Sequence, residues 1–221
     1  MIPAVHRRRL IAPRAMLALT ATLLLAACSS AGVATPLPTT GAGPATAACP
    51  TSQPDPLPAG ETRTVTIETD KGSIAIKIEA DLSPIAAGNF VALAGCGFYD
   101  GVVFHRVATL QDGTPFVIQG GDPTGTGTGG PDYTIQDEPV TATYSRATVA
   151  MARSSQPNSV GSQFFIVLDD AARAALASAN TYQIIGTVSS GMDAVDAIAA
   201  AADAELPSNP VVMTRVTVST P

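Results

Sequence analysis

The feature that most limits what this chain can fold into is a succession of short stretches, several apolar at every second residue, separated by turn signals. Thr64-Val65-Thr66-Ile67-Glu68 alternates, Asp70-Lys71-Gly72 turns, and Ile74, Ile76 and Ile78 alternate with Ala75 and Lys77. A period of two turns one face of each stretch toward a core, so the pair reads as a β-hairpin with one buried face. Further strands are expected at Val102–Val107, Phe116–Gln119, Ala147–Ala152, Gln163–Leu168, Gln183–Val188 and Val211–Val218. Two helical stretches stand among them. Ser83-Pro84 is a helix start, with Ser83 as N-cap and Pro84 in the first helical position. Ile85, Phe90 and Leu93 supply its apolar side, Gly95 or Gly97 ends it, and Gly88 inside it is a poor helix former. Asp193–Ala202 carries Val195, Ile198 and Ala202 on one face. The pattern predicts a mainly β protein, a closed or nearly closed barrel whose open ends the two helices cap.

The N-terminal part follows different rules. Residues 1–27 read as an export signal: His6, Arg7, Arg8, Arg9 and Arg14 form a basic segment, and Ala15 to Ala27 is an apolar stretch too short to span a bilayer. Leu25-Ala26-Ala27-Cys28 resembles the bacterial lipobox, which implies lipidation of Cys28 and stable membrane attachment. A twin-arginine route and a general route both remain open. Residues 28–60 read as a lipid-anchored tether. Between Ser29 and Gly60 stand 7 Pro, 4 Gly, 8 Ser or Thr and 7 Ala, a composition with too little apolar surface to offset chain entropy. Residues 61–221 form the folded domain.

Charge excludes one class of partner. The whole chain has 12 Lys+Arg against 18 Asp+Glu, a net charge of -6. Loss of the four arginines of the signal leaves 8 basic against 18 acidic groups, or -10, so nothing offers the basic stripe that nucleic acid needs. Two histidines and three cysteines, none close in sequence, give almost no material for a zinc site, and no metal or other cofactor is expected. Export makes disulfides available. With Cys28 lipidated, Cys49 and Cys96 remain, and a bridge between them is favoured over two free thiols.

Gly125-Thr126-Gly127-Thr128-Gly129-Gly130 formally contains a dinucleotide fingerprint, but Gly120-Gly121-Asp122-Pro123 precedes it and no helix opens from it. The run is therefore a tightly turned loop. No nucleophile elbow, phosphate loop or catalytic triad is present, and His105 is the one histidine of the folded part. Three strings carry more information together: Val103-Phe104-His105-Arg106-Val107, Phe116-Val117-Ile118-Gln119-Gly120-Gly121-Asp122 and Gly161-Ser162-Gln163-Phe164-Phe165-Ile166. They resemble the signature strings of the cyclophilin family of peptidyl-prolyl isomerases. Gly127–Gly130, Met151-Ala152-Arg153 and Gly186 followed by Gly191-Met192-Asp193 keep the family's order, so the resemblance runs from Thr64 to Val218. It implies an eight-stranded antiparallel barrel capped by two helices, acting as a monomer on proline-containing polypeptides.

The resemblance also assigns residues. Arg106, Phe116 and Gln119 match the catalytic positions, with Phe116, Val117 and Phe165 forming an apolar proline pocket. Ala152, Arg153 and Ser154 match the strip that pairs with the peptide backbone, and Gln163 lies beside it. Leu176 and Tyr182 are the expected pocket residues after Phe165, Tyr182 replacing the family's usual His. His105 is read as structural. Such a site needs no nucleophile: rotation about X–Pro requires loss of amide resonance, and a cation directed at the twisting nitrogen favours that state. Three departures stand out. Nine residues, Val107 to Pro115, separate Arg106 from Phe116 where about four are usual; Arg153 replaces a common Asn; and the chain has no Trp for the family's drug-contacting position. The segment Asp169 to Thr181 reads as an Ala-rich loop. The rival readings are a proline-peptide-binding chaperone without catalysis, using the same groove, and a lipocalin-like carrier with a deep apolar cavity.

Overall fold

The computed structural model describes residues 48–220, so the signal segment, Cys28 and the first part of the tether lie outside the described residues. Eight strands are hydrogen-bonded in the order β3-β4-β6-β5-β7-β2-β1-β8, every neighbouring pair antiparallel. They are β1 Thr62–Thr69, β2 Gly72–Glu79, β3 Arg106–Thr109, β4 Pro115–Gly120, β5 Thr148–Met151, β6 Phe164–Val167, β7 Ile184–Ser190 and β8 Arg215–Ser219. Among the described residues three helices accompany them: α1 Pro84–Gly95, α2 Ala172–Ala179 and α3 Met192–Ala201.

Two expectations are corrected here. The sheet is not closed into a barrel, because the outer strands β3 and β8 form no ladder with each other. The gap is crossed instead by irregular chain. Gly101 N–H donates to Met213 O (2.8 Å), Met213 N–H to Val102 O (2.8 Å) and Phe104 N–H to Val211 O (2.9 Å). Strand character expected from Val102 and Val211 onward therefore begins only at Arg106 and Arg215. Pro207 and Pro210, which lack a donor, stand just before the second of these segments. The second correction is helix α2, inside the segment read as a loop. Its Ala-rich sequence favours helix, and Ala172 and Leu176, a turn apart, give it a narrow buried stripe.

The hairpin β1–β2 forms as its alternation requires, with Thr69 opposite Gly72 across Asp70-Lys71. Val65, Ile67, Ile74, Ile76 and Ile78 are fully buried in the main core, together with Phe90 and Leu93 of α1 and Val195 and Ile198 of α3. Strands β5 and β6 are buried on both faces. Val149, Met151, Phe164 and Ile166 enter the main core, whereas Ala150, Phe165 and Val167 join a second cluster with Val117, Tyr144, Leu176 and Ile184. The candidate site is built on this second cluster.

Helix α1 begins at Pro84, but Ser83 does not cap it: its hydroxyl donates to Leu82 O. The free N–H groups of Ile85 and Ala86 donate instead to the Glu138 carboxylate (2.8 and 2.9 Å), a charge suited to a helix N-terminus. Gly88 has a packing reason. A Cβ there would press into Asp55 O and lie 2.8 Å from Leu57 N, because residues 55–57 cross the helix at this point. The end of the segment read as tether thus lies against the domain. Leu57 is buried in the main core, its N–H donates to Pro84 O (2.9 Å), and Cys49 is disulfide-bonded to Cys96 just beyond α1.

Candidate functional site

The ladder itself assembles the centre of the site. Arg106 of β3 is opposite Gln119 of β4, Gln119 is opposite Phe165 of β6, and Phe165 is opposite Ala150 of β5. Directly opposed residues project from one face of a sheet, so a single row runs from cation through amide to aromatic ring. Val117, two residues before Gln119, is on the same face opposite Ala108 and Val167. Phe165 and Val117 are buried, Phe116 and Tyr182 are half-buried, and the rings of Phe165 and Tyr182 meet edge-on with centroids 5.4 Å apart. Leu176 is buried in the second cluster beneath them, and Tyr144 O–H donates to Tyr182 O (2.9 Å).

A polar chain continues along the row. Arg106 Nη1 donates to Gln119 Oε1 (3.3 Å), Gln119 Nε2 to Gln163 Oε1 (2.9 Å), and Gln163 Nε2 to the carbonyls of Gly127 (3.0 Å) and Gly129 (2.9 Å). The glycine loop is held from within by Asp122. Its carboxylate accepts the N–H groups of Thr124 (2.7 Å), Gly127 (2.6 Å) and Gly129 (3.0 Å) and the Thr124 hydroxyl (2.8 Å). Burial pushes this carboxyl upward, but the donors from Gly129, Thr124 and Gly127 outweigh it and bring its pKa down to about 2. Gly125 and Gly127 take positive φ, 67° and 86°, which is what the tight winding demands of glycine. Beneath the loop His105 is buried, and neither ring nitrogen has a partner among the described residues. Burial lowers its pKa, Asp122 opposes that, and Arg106 adds to it.

Gln119, Gln163, Ala152, Arg153 and Ser154 line a cleft of about 860 Å³, together with the glycine loop. Arg106, Phe116, Val117, Phe165, Leu176 and Tyr182 lie outside that lining, so Gln119 is the residue shared by the cleft and the row that Arg106 begins. Two members of the expected peptide-pairing strip are already engaged. Ala152 N–H donates to Gln163 O (2.9 Å), which leaves its carbonyl as the group free to meet a peptide. Arg153 Nη2 donates to Gln156 O (2.7 Å), Nε to Ser154 O (3.1 Å), and Nη1 is 2.9 Å from the Asp137 carboxylate. Ser154 is exposed. The nine residues after Arg106 form a longer hairpin. Leu110 N–H donates to Thr114 O (2.8 Å), and the Asp112 carboxylate accepts Thr114 N–H (3.0 Å).

One neighbour of the site was invisible to the sequence reading. Arg106 Nε donates to Glu205 Oε1 (2.7 Å) and Nη2 is 2.7 Å from the same oxygen, although 99 positions separate the two residues. No local pattern marks Glu205; only the return of the chain after α3 brings it there.

Eight antiparallel strands with helices packed about them thus carry a guanidinium, an amide and an aromatic ring in one row on one face. The family model described as "Cyclophilin type peptidyl-prolyl cis-trans isomerase/CLD" matches residues 64–218. The chain belongs to the cyclophilin-type peptidyl-prolyl cis-trans isomerase family, and peptidyl-prolyl isomerisation is the activity of its matched domain. A probable peptidyl-prolyl cis-trans isomerase of Brucella abortus (strain 2308) is 39% identical over 149 residues, 64% of this chain and 74% of that one. A putative bifunctional phosphatase/peptidyl-prolyl cis-trans isomerase of Streptococcus pyogenes serotype M6 is 43% identical over 107 residues, 47% of this chain but 22% of its own length. Among solved structures, a Cryptosporidium parvum cyclophilin type isomerase crystallised in the presence of the dipeptide Ala-Pro superposes with a TM-score of 0.61 and 28% identity. That match covers 72% of this chain and 99% of the other.

Proposed function

We propose that Arg106 is the cation that stabilises the twisted X–Pro amide, with Gln119 holding it and contacting the substrate backbone, and Phe116 shaping the catalytic pocket. The observation that carries this reading is the row Arg106–Gln119–Phe165 across three adjacent strands. The barrier to be lowered is ~18–20 kcal/mol, and uncatalysed exchange takes about tens to hundreds of seconds. As resonance is lost the amide nitrogen becomes pyramidal and basic, so a fixed guanidinium interacts with it more strongly than with the planar ground state. The ring of proline needs only an apolar wall, which Phe116, Val117 and Phe165 supply, with Tyr182 at its edge and Leu176 beneath. Gln163 and the strip Ala152, Arg153 and Ser154 would receive the peptide on either side of the proline. The Ala-Pro dipeptide present with the Cryptosporidium relative is consistent with a proline-containing peptide as ligand.

In this reading the chain is exported, cleaved before Cys28, lipidated there and held at the bacterial cell envelope as a monomer. It speeds folding of extended, proline-containing polypeptides outside the cytoplasm. Labelled palmitate should enter the membrane-bound protein, and Cys28→Ala should abolish that incorporation. Two-dimensional NMR exchange on an Ala-Pro peptide tests the catalytic part. Arg106→Ala should lower the exchange rate about a hundredfold or more, the usual consequence of losing a transition-state donor. Undiminished exchange would remove Arg106 from its role, and peptide binding without exchange by the unaltered protein would favour a non-catalytic chaperone.

A further inference from the structure

We propose that Glu205 is a positioning residue for the isomerisation, holding the Arg106 guanidinium in the orientation that meets the twisting amide. The inference rests on Arg106 being the catalytic cation. A guanidinium has five N–H donors in a fixed plane. Glu205 Oε1 takes the one on Nε at 2.7 Å and is 2.7 Å from Nη2, and Gln119 Oε1 takes one on Nη1 at 3.3 Å. No other acceptor for this guanidinium stands among the described residues, so its remaining N–H groups are the donors left for substrate.

The carboxylate is held in place by its own backbone. Glu205 O accepts Val107 N–H at 2.8 Å, which ties the chain after α3 to the residue next to Arg106. Two residues earlier, the Asp203 carboxylate accepts Ser208 N–H at 3.0 Å and also the Ser208 hydroxyl, closing the turn, and Pro207 restricts it further. Glu205 therefore approaches Arg106 from a structured loop.

Stability is a poor explanation for the pair. The Arg106 and Glu205 side chains are 35% and 60% exposed, and ion pairs of that kind contribute little to folding. Orientation is a better one. A free arginine samples many rotamers and must lose them as the transition state forms, whereas a guanidinium fixed on two edges has lost them before substrate arrives. The pair thus fixes which way the cation points.

The test compares the unaltered domain with Glu205→Ala, Glu205→Gln, Arg106→Ala and the Arg106→Ala/Glu205→Ala double variant. For each, NMR exchange with an Ala-Pro peptide gives kcat, and a titration gives the peptide's affinity. Glu205→Ala should lower kcat about tenfold with affinity changed less than about twofold. Glu205→Gln, whose carbonyl oxygen can take the place of Oε1, should recover most of the loss. The Arg106 Nε–H signal should be sharp and slow to exchange with water in the unaltered protein and fast in Glu205→Ala. In the Arg106→Ala background the Glu205 change should have no further effect. Unchanged or raised kcat in Glu205→Ala overturns the proposal, as does an equal proportional loss in the Arg106→Ala background. Full activity of Arg106→Ala is a separate outcome that overturns the role of Arg106 itself and the proposal with it.

Discussion

Gln119 accepts a hydrogen bond from Arg106 through Oε1 and donates one to Gln163 through Nε2, so a single side-chain amide couples the guanidinium to the glycine loop. The two bonds use opposite ends of the amide, which fixes its orientation. Gln119→Leu keeps most of the volume and removes both bonds. It should lower the isomerisation rate about tenfold, or ~1.4 kcal/mol in the barrier, by releasing one edge of Arg106. NMR exchange on an Ala-Pro peptide measures it. Because Gln119 is only half-buried, the melting temperature should move far less than the rate.

Asp122 is the fixed point of the loop that the chain from Gln119 reaches. Four donors converge on one buried carboxylate, so the charged form is strongly preferred in the folded state. Asp122→Asn replaces one acceptor oxygen with an N–H₂ that must face backbone N–H groups. The expected loss is about 2–3 kcal/mol in urea unfolding at neutral pH. The folded pKa of about 2 lies below the ordinary 3.8, so this stabilisation is complete above pH ~4 and is lost as pH falls through the folded value. The stability gap between the unaltered protein and Asp122→Asn should therefore narrow between pH 4 and 2.

The coming together of the candidate residues was readable because they lie in short strings whose register the ladder enforces. Once Arg106 and Gln119 pair, their neighbours Val117 and Phe165 can only fall on the same face. The open sheet was not readable in the same way. Val102–Val107 and Val211–Val218 have strand-like sequences, yet whether they join in a ladder depends on how two distant segments meet, and here they meet through a few bonds only. Helix α2 was missed because it is only eight residues long and Leu176 is its one large apolar residue, which leaves too short a pattern to mark a helix. Glu138 at the start of α1 and Glu205 beside Arg106 share one obstacle: each partners a residue far along the chain, and nothing near either one announces it.

His105 supplies a pH signature. It is the sole histidine among the described residues, its ring is buried, and burial above all lowers its pKa from the ordinary 6.5. In the unfolded chain the ring takes up a proton as pH falls below about 6.5, while in the folded protein it does so only at lower pH. The unfolded state therefore binds more protons in that window, and stability should decline as pH falls from 7 toward 5. His105→Phe keeps an aromatic ring of similar thickness without ionisable nitrogens. Urea unfolding of the two proteins at pH 7, 6 and 5 should show a slope for the unaltered domain that His105→Phe largely lacks.

The Cys49–Cys96 bridge and Gly88 act on the same segment and should be separable by where they act. The bridge closes a loop of 47 positions, for which loop entropy in the unfolded chain predicts about 4 kcal/mol, with measured values for such bridges typically ~2–4. Cys49→Ser/Cys96→Ser should lower unfolding stability by that amount while leaving residues 55–57 against α1, because Leu57 keeps its core position and its bond to Pro84 O. Gly88→Ala acts on the folded state instead. Alanine favours helix by about 1 kcal/mol over glycine, yet its Cβ would press into Asp55 O and crowd Leu57 N. Hydrogen exchange separates the two effects. The Leu57 amide should stay protected in the double serine variant and lose protection in Gly88→Ala, and a Gly88→Ala protein more stable than the unaltered one would mean that residues 55–57 do not cross the helix in solution.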